Sequence, residues 1–202
     1  MSLKKWIVVF HGLSGVGKDT ATREVMRYKG FMYEANIIKF SRPMKMALAN
    51  LLGVEVSKLE DRDYRNTKLP GLGVTPLDLM IRSFEFLPML HPELMVYNIR
   101  QSLERLIEDS KYQDHVLVFN DVRLPKEVTL IKEAMERHSY QLLHVDIQRP
   151  GVEPMPSDTH YHAIRVALSY MAHRRHTLYN EGEVQQVHSK VNRILHAVSL
   201  LS

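Results

Sequence analysis

Residues 6–29, WIVVFHGLSGVGKDTATREVMRYK, decide the fold. Trp6-Ile7-Val8-Val9-Phe10 is an unbroken apolar run, which predicts a strand buried on both faces. Gly12-Leu13-Ser14-Gly15-Val16-Gly17-Lys18-Asp19-Thr20 follows at once. Ala21, Val25 and Tyr28 then recur at helical spacing, so a helix starts directly after the glycines. Strand, glycine loop and helix in that order form the context that a phosphate-binding loop requires.

The residue types fit that chemistry. A polyphosphate needs inward-pointing donors and little side-chain bulk. Glycines let successive backbone N–H groups face one anion, and the helix N-terminus adds its positive dipole end. Gly12, Ser14, Gly15, Val16 and Gly17 form the expected cradle for ATP phosphates. Lys18 can bring an ammonium to the terminal phosphates, and Asp19 and Thr20 stand where Mg²⁺ is expected. The strict pattern, G-x-x-x-x-G-K followed directly by Ser or Thr, fails at one position. Asp19 holds the hydroxyl place and Thr20 brings the hydroxyl one residue later. A glycine-rich turn without a ligand is the bland alternative, and the flanking strand and helix weigh against it.

Bulk composition narrows the classes. At 202 residues the chain suits one domain, or a core with an insert. An apolar fraction of 45% can fill a core, and a net charge of +4 suits an anionic small molecule. No long Lys/Arg run marks a nucleic-acid partner. The absence of cysteine excludes a disulfide framework and a Cys-based zinc site. No apolar run is long enough for a membrane helix, and the early strand leaves no room for a signal peptide, so a cytoplasmic location is expected.

Further along, Asn36–Phe40, Val116–Phe119, Tyr140–Ile147 and Thr177–Asn180 read as strands. Helices are expected from Pro43 to Gly53, from Thr75 through Ser83, from His91 to about Lys111, from Pro125 to about Arg137 and over 183–200, with residues 54–75 a polar loop. A helical piece passes through Arg165 and Leu168. Alternating strands and helices predict an α/β fold with a five-stranded parallel sheet, whose ligands sit beyond the strand C-terminal ends. Gly12, Arg42, Asp121, Arg123 and Arg149 all fall just past a strand end. Asp121 suits a Mg²⁺ shell or a substrate hydroxyl, and Arg123 a bidentate grip on phosphate. The alternatives are a helix N-cap or loop acid for Asp121 and a surface arginine paired with a carboxylate for Arg123. The His160-x-His162 pair near Asp158 invites a metal reading, but no further ligands stand at a recognisable spacing, and it reads as a polar lid loop. Arg174-Arg175, beside His173 and His176, reads equally as lid arginines or the place where the ATP adenine lies across a guanidinium, and as solvated surface or helix C-terminal charge.

GKDT, KFSRPMKMAL, NDVRLPKEVTLIKE, QRPG, DTH and TLYNEG, spread over about residues 6–195, resemble the deoxynucleoside monophosphate kinases of bacteriophages, within the adenylate-kinase-like P-loop kinases. The resemblance implies transfer of the γ-phosphoryl of ATP, with Mg²⁺, to a deoxynucleoside 5′-monophosphate in the cytoplasm, of the host if the source is viral. It implies a P-loop NTPase core (1–40, 112–148, 174–202), a monophosphate-binding region (41–111) and a lid (149–173). It carries Lys18, Arg123, Arg149 and Asp121 over as catalytic residues, and Arg42 and Lys45 as monophosphate contacts alongside Asp121 and Arg123. Where relatives show an arginine and a glutamine after T-P, this chain has Leu77 and Ile81. Neither nucleic acid nor membrane is an expected partner, and a homodimer is compatible with the reading. Animal-type phosphomevalonate kinase shares the GKD loop, so another small phosphorylated acceptor stays open, as does a nucleotide-binding homologue without catalysis.

Overall fold

The apolar run at the N-terminus is β1 (Lys5–His11), the central strand of a five-stranded sheet. The structure is a computed structural model that describes residues 5–28, 35–110, 115–154 and 158–199. The expected helix ends at Lys111 and Leu200, the boundary at 112, and Met155–Ser157 of the 149–173 stretch lie outside them.

β1 pairs in parallel with β3 (His115–Phe119) on one side and β4 (Gln141–Gln148) on the other. β2 (Ala35–Ile38) extends the sheet beyond β3, and β5 (Arg174–Tyr179) beyond β4. The order β2-β3-β1-β4-β5 is all parallel, so every strand points its C-terminal end to one rim. This is the five-stranded parallel sheet flanked by helices that the sequence predicts.

Period-two alternation divides the strands between two faces. Trp6, Val8, Phe10, Val116, Val118, Leu143, Val145 and Ile147 pack with Val25 of α1 (Lys18–Arg27) and with Val187, Val191 and Leu195 of α8 (Val184–Ser199). Burying each large side chain contributes about 1.5–3 kcal/mol. The other face carries Ile7, Val9, Leu117 and Phe119, all fully buried. On that side α7 (Tyr161–Met171) packs on β4 and against α6 (Pro125–His138).

The chain divides into two compact units, residues 1–39 with 103–202, and residues 40–102. The second holds α2 (Arg42–Leu52), a 3₁₀ turn (Val56–Leu59), α3 (Arg62–Asn66), α4 (Pro76–Leu90) and the start of α5 (Leu94–Asp109). The stretch expected as an irregular loop thus contains two helical pieces. Leu59 is fully buried and anchors the first, while the Asp61 carboxylate caps the second by accepting the Asp63 and Tyr64 N–H groups at 2.8 and 3.1 Å. Thr75 and Asp78 form a reciprocal capping box at the start of α4.

Two strand expectations shift. β2 ends at Ile38, before Lys39 and Phe40, and β5 begins at Arg174, three residues before Thr177. Arg174 and Arg175 are exposed residues of an edge strand in register with Leu143 and His144. Only pairing with β4 identifies them as strand, because the apolar signal there is short.

Candidate active site

The loop between β1 and α1 adopts a conformation that excludes side chains where it closes on the sheet. Gly12 has φ +150°, and a Cβ there would lie 2.4 Å from the Ile147 carbonyl oxygen and 2.8 Å from Val16 Cγ2. Gly17, at the N-cap of α1, has φ +108°, and a Cβ there would lie 2.6 Å from Asn180 Nδ2. Both positions therefore demand glycine for space as well as for backbone angle. Val16 is buried in the core, Ser14 is half-buried and Gly15 is exposed. The N-cap of α1 is itself a glycine and makes no side-chain cap bond.

Lys18 turns back into its own loop. Its Nζ donates to the carbonyls of Gly12 at 2.8 Å and Leu13 at 2.7 Å. Burial, and next the charge of Arg123, push the ammonium down to about 8, while Asp158, Asp19 and Asp121 pull the other way. An incoming polyanion would offer the ammonium a charged acceptor in place of two neutral carbonyls. Asp19 is exposed, and its Oδ1 accepts from Asn120 Nδ2 at 3.0 Å and Lys39 Nζ at 3.3 Å. Thr20 is the half-buried third residue of α1.

The turn after β3 brings the second set of residues. Asn120-Asp121-Val122-Arg123 leads to Leu124, which is the N-cap of α6. Asp121 is therefore not the helix cap, which disposes of one alternative for it. The turn is held from below by Glu127, whose side chain is fully buried. Its Oε2 accepts the backbone N–H groups of Arg123 at 2.5 Å and Leu124 at 2.9 Å. Burial, and then the neighbouring Asp121, push this carboxyl up to about 8.

Lys18, Asp121 and Arg123 line one cleft at the rim, together with His11, Asp158 and Tyr161. Three of the residues expected in catalysis thus meet. Arg149 is exposed just past β4 and does not line that cleft. Arg42, exposed at the start of α2, and Lys45, paired with Glu60 at 2.9 Å, belong to the 40–102 unit.

The cleft wall contains residues that sequence reasoning passed over. His11, the last residue of β1, is buried and stacks on Tyr161 of α7 with ring centroids 4.9 Å apart and planes 11° from parallel. Asp146 on β4 lies 3.9 Å from His11 Nδ1, too far for a hydrogen bond. Its Oδ2 instead receives Arg165 Nε at 2.9 Å and Gln148 Nε2 at 2.8 Å. Burial holds the His11 imidazole below its ordinary range despite Asp146. The one available signal for His11 was its place, directly between a core strand and the first glycine.

A carboxylate and a hydroxyl at Asp19 and Thr20 are hard oxygen donors of the kind Mg²⁺ takes. Among the described residues, no three or more His, Asp or Glu side chains gather as a metal site by themselves. Among them too, no helix is long and apolar enough to cross a membrane.

No family model matches the chain, and no curated protein matches its sequence. Solved structures do. A thymidylate kinase from Ehrlichia chaffeensis is 16% identical with a TM-score of 0.46, over 95% of this chain and 99% of that one. A shikimate kinase from Acinetobacter baumannii is 10% identical with a TM-score of 0.40, over 96% and 93%. A gluconokinase from Sinorhizobium meliloti is 11% identical with a TM-score of 0.35, over 100% and 99%.

Proposed function

We propose that the protein is a kinase that transfers the γ-phosphoryl group of ATP to a deoxynucleoside 5′-monophosphate. The observation that carries the reading is one cleft lined by the loop cation Lys18 and by Asp121 and Arg123 from the neighbouring strand end. The choice of acceptor rests on the motif resemblance over most of the chain.

Phosphoryl transfer needs alignment and positive charge more than covalent chemistry. In this reading the glycine loop holds the ATP phosphates by its backbone N–H groups. Lys18 leaves the Gly12 and Leu13 carbonyls and follows the transferred group. Arg123 grips the phosphate between donor and acceptor, and Asp121 orients the cation or a substrate hydroxyl. Asp19 and Thr20 would hold Mg²⁺, which when bound neutralises charge on the β- and γ-phosphates. Arg42 and Lys45 are assigned to the monophosphate, and Arg149 to the segment that covers the site. The acceptor is already an anion, so no strong general base is required.

The test is ADP formation from ATP and Mg²⁺ with deoxy- and ribonucleoside monophosphates offered singly. Turnover with one or more deoxynucleotides is the expected result. MgADP binding without turnover on any of them would move the acceptor to another class, and absence of MgADP binding would remove the reading of the glycine loop.

A further inference from the structure

Asn180 follows β5 and is buried, with a relative exposure of 5%. Its Nδ2 donates to the Val16 carbonyl oxygen at 2.7 Å, across 164 residues of sequence. Its Oδ1 accepts the Gly182 N–H at 2.9 Å, and its own N–H donates to the Gln148 carbonyl at 2.8 Å. The same Nδ2 occupies the space that a Cβ at Gly17 would need. One side chain therefore joins the glycine loop to the turn after β5, while its backbone joins that turn to the end of β4.

We propose that Asn180 is a positioning residue for nucleotide binding, acting through the Val16–Gly17 peptide. A trans peptide points its C=O and N–H in opposite directions. Holding the Val16 carbonyl toward Asn180 turns the Gly17 N–H away from Asn180, where it is left to an incoming anion rather than to the protein. Lys18 cannot do this task, because its bonds to the Gly12 and Leu13 carbonyls are given up when it takes a phosphate. The Asn180 bond uses no group that a phosphate would claim, so it persists through binding. The proposal rests on the nucleotide reading of the loop.

Asn180→Asp tests it with almost no change of shape. The carboxylate still accepts from Gly182 but cannot donate to the Val16 carbonyl, and it sets two oxygens against each other. MgADP affinity is measured by calorimetry from pH 5 to pH 8 on the wild type and the variant. The expected loss is about ten-fold at pH 8, shrinking toward pH 5 as the new carboxyl gains a proton it can donate. Charged groups on the adjoining segments, Lys18, Arg149, Glu181 and Lys190, are common to both proteins, so the affinity ratio isolates position 180. A ratio within two-fold at every pH overturns the proposal. A constant loss at all pH values also overturns it, since that marks general damage rather than a missing donor. Because the ionised Asp would itself repel MgADP, the uncharged Asn180→Ser is measured beside it, and stands alone should the Asp variant fail to fold. Its hydroxyl can serve Gly182 but not reach Val16, so a ten-fold loss is again expected and a two-fold one overturns the proposal. A wild type that binds no MgADP rejects the nucleotide reading itself, and this inference with it.

Discussion

The turn from β1 into α1 and the turn from β3 into α6 stand side by side on the same rim, yet they treat their helix N-termini in opposite ways. The first leaves its backbone without a side-chain cap and folds a cation, Lys18, against its own carbonyls. The second satisfies its N–H groups internally with a buried carboxylate, Glu127. A turn whose N–H groups are taken by its own side chain has fewer left to offer an outside anion. In the proposed reading the open turn is therefore the receiving site, and the closed turn is the mount that presents Asp121 and Arg123.

Several changes can break or sharpen this contrast. The largest effect is expected at the open turn. Lys18→Ala should lower turnover about a thousand-fold while leaving the melting temperature within a few degrees. ADP formation is the readout, and near-normal rates would show that the loop cation is not part of the chemistry. Gly12→Ala comes next, with a loss of about 3 kcal/mol or more in denaturant unfolding, because the added methyl meets a main-chain oxygen rather than a flexible side chain. A loss under about 1 kcal/mol would mean that the loop sits farther from β4 than described.

The two turns also titrate with opposite sign. Glu127 is raised from 4.5 to about 8, so its proton stabilises the fold; stability is full below about pH 4.5 and declines as pH rises through 8. Lys18 is lowered from 10.5 to about 8, so the fold prefers its neutral amine; stability is full above about pH 10.5 and declines as pH falls through 8. Glu127→Gln, which keeps an acceptor for Arg123 and Leu124, should flatten the decline between pH 5 and pH 8. The difference at pH 8 should be on the order of a few kcal/mol. Melting curves at four pH values decide it, and an unchanged slope would mean that the carboxyl is already ionised in the fold.

The smallest effect belongs to the exposed pair at the edge of the open turn. Lys39→Ala removes the partner 3.3 Å from Asp19, whose side chain is 68% exposed, and should change stability by less than about 0.5 kcal/mol. A larger loss would reveal that Asp19 is held for a structural rather than a ligand-binding purpose.

Much of this molecule is legible in the order of its residues. Unbroken apolar runs become central strands because both faces of a parallel sheet are covered, and the glycines before Lys18 mark the loop. Elements at the edges are less legible. β5 starts in Arg174-Arg175-His176, where ladder pairing with β4 outweighs weak local propensity. The helical pieces in 54–75 depend on a single buried leucine and a single capping aspartate. In the site, Lys18, Asp121 and Arg123 could be picked out by place and type. His11 could not, and Glu127 and Asn180, though they lie within the quoted motifs, gave no sign of their burial or partners, because a buried polar residue has the same letter as a solvent-exposed one.

The sequence by itself determined the sheet, the loop and the rim on which the candidate site lies, since these follow from periodicity and from where glycine is tolerated. Only the tertiary structure decided which helix start stays open, which carboxyl is buried and which distant side chain joins the loop. Those outcomes depend on burial and on contacts across more than a hundred residues, such as Asn180 with Val16 and Asn120 with Asp19, and no local pattern encodes them.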